Sequence, residues 1–248
     1  MELQLRELVE NYKVSQEAKD IVAQTPIVLL VGISGAGKDT IKHRLLETGS
    51  YHHIVSHTTR APRENAGVRE RDGVDYYFIS REEAARMLRE GAFIEAKTYS
   101  GNLYGTSVTE IVHANQEGKI AITDMEVQGV AEYKAISPKV IAEFILPPNF
   151  EEWQRRLHSR YGDQGADPAD ITKRMDTAIV ELKEALQQAY YHFIVNEVLE
   201  DAVSAADKIA HDDNSFNTID RSFSKWAEQL LIDLENHATA QGRRIKKA

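Results

Sequence analysis

Residues 26–40 read PIVLLVGISGAGKDT, an apolar run that breaks into glycines and then into a lysine and two polar residues. The run from Ile27 to Val31 has the length and β-branched content of a buried strand, and the helical stretch beginning at Lys38 continues to about Glu47. Gly32, Gly35 and Gly37 let the backbone between them turn tightly and aim N–H groups at phosphate oxygens. The helix N-terminus adds positive potential there, and Lys38 reaches the β- and γ-phosphates of a triphosphate. A glycine-rich loop between a strand and a helix is the context that a phosphate-binding loop requires. Its candidate contacts are Gly32, Ser34, Gly35, Ala36, Gly37, Lys38, Asp39 and Thr40. One position departs from the usual pattern. Ser or Thr normally follows the lysine because its hydroxyl ligates magnesium, whereas here Asp39 follows and the hydroxyl comes one residue later, at Thr40.

Outward from this unit, the runs KIAITD (119–124), KVIAEFIL (139–146) and HFIVN (192–196) alternate with helical segments. That alternation predicts an α/β fold with a parallel sheet flanked by helices. Ser80-Arg-Glu-Glu83 and Ser107-Val-Thr-Glu110 read as capping boxes, and Asp167-Pro168 as an N-cap with proline at the first helical position. Between the first helix and Lys119 the texture changes to short β-like pieces at 54–58, 76–79 and 93–98, read as an inserted antiparallel lobe. Residues 2–23 carry apolar positions at helical spacing, as one amphipathic helix or two. Residues 212–220 (DDNSFNTID) read as a loop, after which Phe223, Trp226, Ala227, Leu230, Leu231 and Leu234 form an apolar stripe. The two terminal helices are expected to pack by these stripes against the core or each other, within one chain or across a homodimer.

Composition narrows the function. A chain of 248 residues is long enough for one α/β domain with extensions. It contains no cysteine, which excludes disulfides, thiolate metal sites and a cysteine nucleophile. The net charge of −9 argues against a general nucleic-acid binder. The longest nearly unbroken apolar stretch is too short for a membrane span, and the acidic, amphipathic N-terminus is unlike a signal peptide. No nucleic-acid or membrane partner is therefore expected, and a cytoplasmic setting is. An anionic small substrate then needs a local basic pocket.

SHTTRAPR, residues 56–63, offers one, with two arginines three apart among hydroxyl residues; the planar guanidinium suits a monophosphate. Downstream lie VDYYFISREE (74–83), GAFIEAKTYSGNLYGTS (91–107) and DMEVQGV (124–130). Together with the phosphate loop, these segments closely resemble guanylate kinases across about residues 26–208. The resemblance implies a P-loop kinase fold with a small β-rich GMP-binding lobe (about 54–106) and a helical lid (about 153–175), leaving helical extensions at 1–25 and 209–248. It implies ATP and GMP as substrates, dGMP as a second acceptor to test, and Mg²⁺ accompanying ATP. Arg60, Arg63, Tyr76 and Tyr104 match the ligands of the GMP phosphate. Ser56, Glu95 and Thr106 match the guanine-reading positions, where one carboxylate accepts from the N1–H and the exocyclic amine together. Asp124 and Glu126 fall on two acidic positions, the first near metal and phosphates, the second near guanine. The family usually has Asp at both. The metal candidates are thus Asp39, Thr40 and Asp124. Arg156, Arg160 and Arg174 match the lid arginines that, with Lys38, stabilise the transferring phosphoryl group. Two stretches, ENAGVRERDG (64–73) and YGDQGADPADITK (161–173), are longer than in the family.

Two other classes remain beside the kinase. Some members of this family are interaction modules, usually with a degraded phosphate loop; this chain keeps Gly32, Gly37 and Lys38. Ribose bisphosphate kinases also have loops reading GKD followed by a hydroxyl residue, but match TTRAPR and EAKTYSGNLYG less well. His52, His53 and His57 lack metal-ligand spacing and are read as loop and strand residues. The RRIKK tail (243–247) is read as a solvated end.

Overall fold

The computed structural model describes residues 2–65, 68–159, 167–211 and 222–243. The chain forms two compact units, the first comprising residues 1–27, 50–123 and 131–140 and the second 28–49, 124–130 and 141–248.

In the second unit, β1 (Ile27–Val31, its first residue assigned to the other unit) pairs in parallel with β10 (Ile141–Leu146), and β10 with β11 (Tyr191–Val195). Every residue of β1 is buried, which explains its unbroken apolar sequence. Helix α3 (Lys38–Glu47) follows the glycine loop and packs with α9 (Leu199–His211), while α9 also covers β10 and β11. Helices α7 (Phe150–Ser159), α8 (Pro168–Leu186) and α10 (Ser222–Ala240) complete the unit. The Asp167 side chain accepts the Ala169 N–H at 2.9 Å, so α8 begins at the expected cap. The terminal helix α10 packs on α8, β11 and α7, burying Ala227, Leu230, Leu234 and Ala238. Trp226 departs from the expected stripe. It is 43% exposed, on the rim of a cleft of about 460 Å³ shared with Pro147, Pro148 and Lys225.

In the first unit, β2 (Tyr51–His53) pairs in parallel with β9 (Ile120–Asp124, its last residue assigned to the second unit). A separate sheet runs in the order β6 (Tyr77–Phe78), β3 (His57–Thr58), β8 (Asn102–Ser107), β7 (Phe93–Tyr99). The expected lobe is not wholly antiparallel, because β3 runs parallel to β6 and antiparallel to β8. A short antiparallel pair joins β4 (Glu64–Asn65) to β5 (Val68–Arg69). Helix α4 (Arg81–Arg89) is capped by the Ser80 hydroxyl, which accepts the Glu83 N–H at 3.0 Å. Helix α5 (Val108–Gln116) begins at Ser107 without a side-chain cap. The expected box fails there because the Glu110 carboxylate is taken up by the Val55 N–H at 2.9 Å and the Tyr77 hydroxyl at 3.2 Å.

The N-terminal segment is two helices, α1 (Glu2–Glu10) and α2 (Gln16–Gln24), the second capped by Ser15. Leu5, with Leu8, Val9 and Tyr12, packs on Ala84, Leu88, Phe93 and Leu103. The Tyr12 hydroxyl also accepts the Phe93 N–H at 3.0 Å, fixing this segment to β7. The chain passes between units within α6 (Val127–Ile136). Among the described residues, no helix is long and apolar enough to cross a membrane. The 212–220 segment and residues 244–247 of the basic tail lie outside the described residues. Arg243, the first residue of that tail, bonds the Asp176 carboxylate of α8.

Candidate active site

The phosphate loop lies in the second unit between β1 and α3, with Gly32, Gly35 and Gly37 all at positive φ. Two of these glycines are required by their surroundings. A Cβ at Gly32 would collide with the Ile145 carbonyl on β10, and one at Gly37 with the Asn196 amide. Gly37 is the N-cap of α3 and no side chain caps the helix, the arrangement that an anion at the N-terminus needs. The Lys38 ammonium folds back onto the carbonyls of Gly32 and Ile33.

Residues outside the motif hold the loop. Trp153, fully buried on α7, donates its indole N–H to the Ser34 carbonyl at 2.8 Å. Asn196, just after β11, donates its amide to the Ala36 carbonyl at 2.8 Å. Of the lid arginines, Arg156 is bonded to Glu152 at 2.7 Å and to the Asn196 carbonyl at 3.0 Å. Arg174 is bonded to Asp170 at 2.9 Å and to the Ser34 hydroxyl at 2.8 Å. Both therefore stand at the loop. Arg160 and residues 161–166 of the longer lid segment lie outside the described residues, as do residues 66 and 67 of the other longer segment.

The acidic candidates gather around a lysine that the motif did not flag. Lys42, one helical turn beyond Lys38, is ion-paired with Asp124 and lies 3.8 Å from the Asp39 carboxylate. Burial works to raise the Asp124 carboxyl, but Lys42 and then Lys38 outweigh it and hold the group below its ordinary value. Asp39 and Thr40 are exposed. Glu126 belongs to the second unit and is also exposed. Burial pushes Glu181 on α8 up to about 7, against the pull of Lys38 and with the help of Glu126 and Glu184.

In the first unit, the acceptor candidates converge on the β6-β3-β8-β7 sheet. Arg60, buried beside β3, donates to the Tyr104 hydroxyl at 3.2 Å and stacks 5.3 Å from the Tyr76 ring centre. Its fork is closed by Glu70, which accepts at 2.7 and 3.0 Å and also takes the Arg63 N–H at 2.7 Å. Three clamp residues thus meet directly and Arg63 joins through its backbone. Glu95 on β7 is paired in register with Thr106 on β8, whose hydroxyl donates to it at 2.9 Å. Burial raises the Glu95 carboxyl, and the Thr106 hydrogen bond opposes the rise. Ser56 lies just before β3, its carbonyl accepting the Tyr77 N–H at 2.9 Å.

The parallel strands, the glycine loop at an uncapped helix start and the arginines held against that loop define a P-loop phosphotransferase. Residues 23–213 match the family described as guanylate kinase. The chain is 36% identical over 178 residues to the guanylate kinase of Thermus thermophilus, covering 72% of this chain and 77% of that protein. It is 36% identical over 190 residues to that of Bdellovibrio bacteriovorus, covering 76% and 98% respectively. Its fold is similar to the crystal structure of guanylate kinase from Anaplasma phagocytophilum, with a TM-score of 0.56 and 25% identity over 88% of this chain and 96% of that one. The chain belongs to the guanylate kinase family.

Proposed function

We propose that this chain transfers the γ-phosphoryl group of ATP to GMP, giving ADP and GDP, with the GMP clamp and the phosphate loop in the roles read from the sequence. The observation that carries the acceptor assignment is the Glu95–Thr106 pair on the sheet that also bears Tyr104, to whose hydroxyl Arg60 donates. A sheltered carboxylate beside a guanidinium and phenols suits a ligand with adjacent N–H donors at one end and a phosphate at the other. Ser56, Glu95 and Thr106 read guanine, with Glu126 a further candidate. Arg60, Arg63, Tyr76 and Tyr104 hold the phosphate, which displaces Glu70 from the Arg60 fork. The phosphate loop and Lys38 hold ATP, while Arg156, Arg160 and Arg174 neutralise charge on the transferring group.

Asp39 and Asp124 share Lys42 as a partner, so hard oxygen donors suited to Mg²⁺ gather beside the loop, with exposed Thr40 available through water. An Mg²⁺ ion held by Asp39, Asp124 and, through water, Thr40 would supply positive charge that offsets the negative charge of the triphosphate. Lys42 supplies a fixed positive charge to the same carboxylates. A cytoplasmic setting follows from the substrates, and the acidic balance favours small nucleotides over nucleic acid or membrane. Residues 1–25 and 209–248 are extensions of the catalytic domain, the second offering its exposed Trp226 cleft to a second copy.

ADP release measured with GMP, dGMP, AMP, UMP and ribose bisphosphate tests this reading. GMP is expected to give the fastest turnover. Release confined to ribose bisphosphate would make the chain a sugar-phosphate kinase, and the absence of release with every acceptor would make it an interaction module.

A further inference from the structure

Three side chains of types that can ligate transition metals, none of them among the nucleotide-site candidates, converge in the first unit. His52 is the middle residue of β2, and Glu110 and His113 lie three apart on one face of α5. One ligand atom from each lies within 4.8 Å of the others. His52 Nε2 is 3.9 Å from one Glu110 oxygen, and His113 Nδ1 is 4.0 Å from the other. Ligands bound to a tetrahedral zinc at about 2.0 Å stand roughly 3.3 Å apart, so a small contraction closes the set. His113, with half its side chain exposed, has room to make that adjustment.

The surroundings are built as metal ligands require. Glu117 lies 3.3 Å from His52 Nδ1, so it can accept a hydrogen bond from an Nδ1–H, the tautomer that leaves Nε2 as the lone-pair nitrogen facing Glu110. Glu117 is itself held by Lys119 at 2.9 Å. The Glu110 side chain is 4% exposed. Val55 N–H and Tyr77 O–H occupy two of the roughly four acceptor positions of a carboxylate, which leaves two for a cation. The same two bonds are the reason that Glu110 abandons the capping box its sequence offers. Two imidazoles and one carboxylate match the nitrogen and oxygen set of zinc sites with an open fourth position, and not the all-oxygen shell of Mg²⁺.

We propose that His52, Glu110 and His113 bind a divalent transition metal of the zinc class and so join β2 to α5. The test is equilibrium dialysis of the tag-free full chain against Zn²⁺ with metal analysis, alongside melting curves with and without Zn²⁺. Expected are one ion per chain and a melting temperature raised by Zn²⁺. His113→Ala and His52→Ala should each weaken binding at least tenfold, and Glu117→Gln by about 10–100-fold. Because His113 is exposed, His113→Ala should melt as wild type does without metal, so its loss of binding reads the site rather than the fold. Absence of stoichiometric Zn²⁺ in the wild-type chain would overturn the proposal. So would unchanged binding in the His52→Ala/His113→Ala double variant. Either result would leave the three side chains as an ion-pair cluster.

Discussion

Arg60 keeps its guanidinium ready for an anion by lending it to Glu70, whereas the Arg63 side chain is exposed and enters the cluster only through its N–H. Arg63→Ala should therefore weaken GMP much more than guanosine, and binding of the two ligands by calorimetry checks this. An equal fall for both would mean that the residue acts through structure. Asp39 stands exposed with Lys42 as a neighbour. Asp39→Ala should raise the Mg²⁺ concentration needed for half-maximal turnover, and Asp39→Ser should keep substantial activity. If the alanine variant binds ATP more tightly without Mg²⁺ and keeps its metal dependence, Asp39 is only a repulsive neighbour. The glycines and Lys38 were readable from a local pattern, and the lid arginines were named from the family resemblance alone. Lys42 and Asn196 were not, because their partners lie 82 and 160 residues away in sequence. Nothing in their immediate surroundings records such a pairing.

Strand β10 carries a buried acid. Glu143 is fully buried and neither carboxylate oxygen has a hydrogen-bond partner. Burial, with Asp207 adding repulsion, raises its carboxyl well above the ordinary value. The folded chain thus holds a proton that the unfolded chain releases. Its contribution to stability is whole below the ordinary carboxylate range and is lost as pH rises from there through the raised value, at about 1.4 kcal/mol per pH unit. Glu143→Met should be the more stable protein at neutral pH, with a gap over wild type that widens as pH rises above the ordinary carboxylate range in urea unfolding. Parallel stability profiles would mean that the carboxyl is not held protonated. Helix α1 makes a second prediction. Leu5 is 3% exposed against Leu88 and Phe93, so Leu5→Ala should cost about 2–5 kcal/mol, read as a lowered melting temperature. An unchanged melting temperature would make the N-terminal segment an appendage. Both terminal helices were visible as apolar stripes. Their packing partners were not, since a stripe records that a face is covered and not by what.

Across the whole molecule, the longer parallel strands were readable because IVLLV is apolar from end to end and IAITD, IAEFIL and YHFIV are largely so. The β-rich sheet was read less well. Strands of two residues, such as His57–Thr58 and Tyr77–Phe78, are too short to establish an alternation, and β8 hides in a glycine-containing segment. Tyr51–His53 belongs to a parallel pair with a strand about 70 residues further on, which no local signal announces. The acceptor candidates could nevertheless be named, because their resemblance to a family resides in side-chain identity rather than in periodicity. What they are claimed to do is select guanine. Initial rates with GMP, IMP and AMP, for wild type and for Glu95→Gln, measure that selection directly. IMP lacks the exocyclic amine and AMP presents an acceptor at N1, so GMP should be preferred over both by an amount worth about 1–3 kcal/mol. Glu95→Gln should lower kcat/KM for GMP, narrow the GMP-to-IMP ratio and leave ATP affinity unchanged. Because burial raises the Glu95 carboxyl, wild-type kcat/KM for GMP should fall on acidification from above the ordinary carboxylate range, and that limb should vanish in the variant. Equal use of GMP and IMP by the wild type, with rates unaltered by Glu95→Gln, would contradict the account.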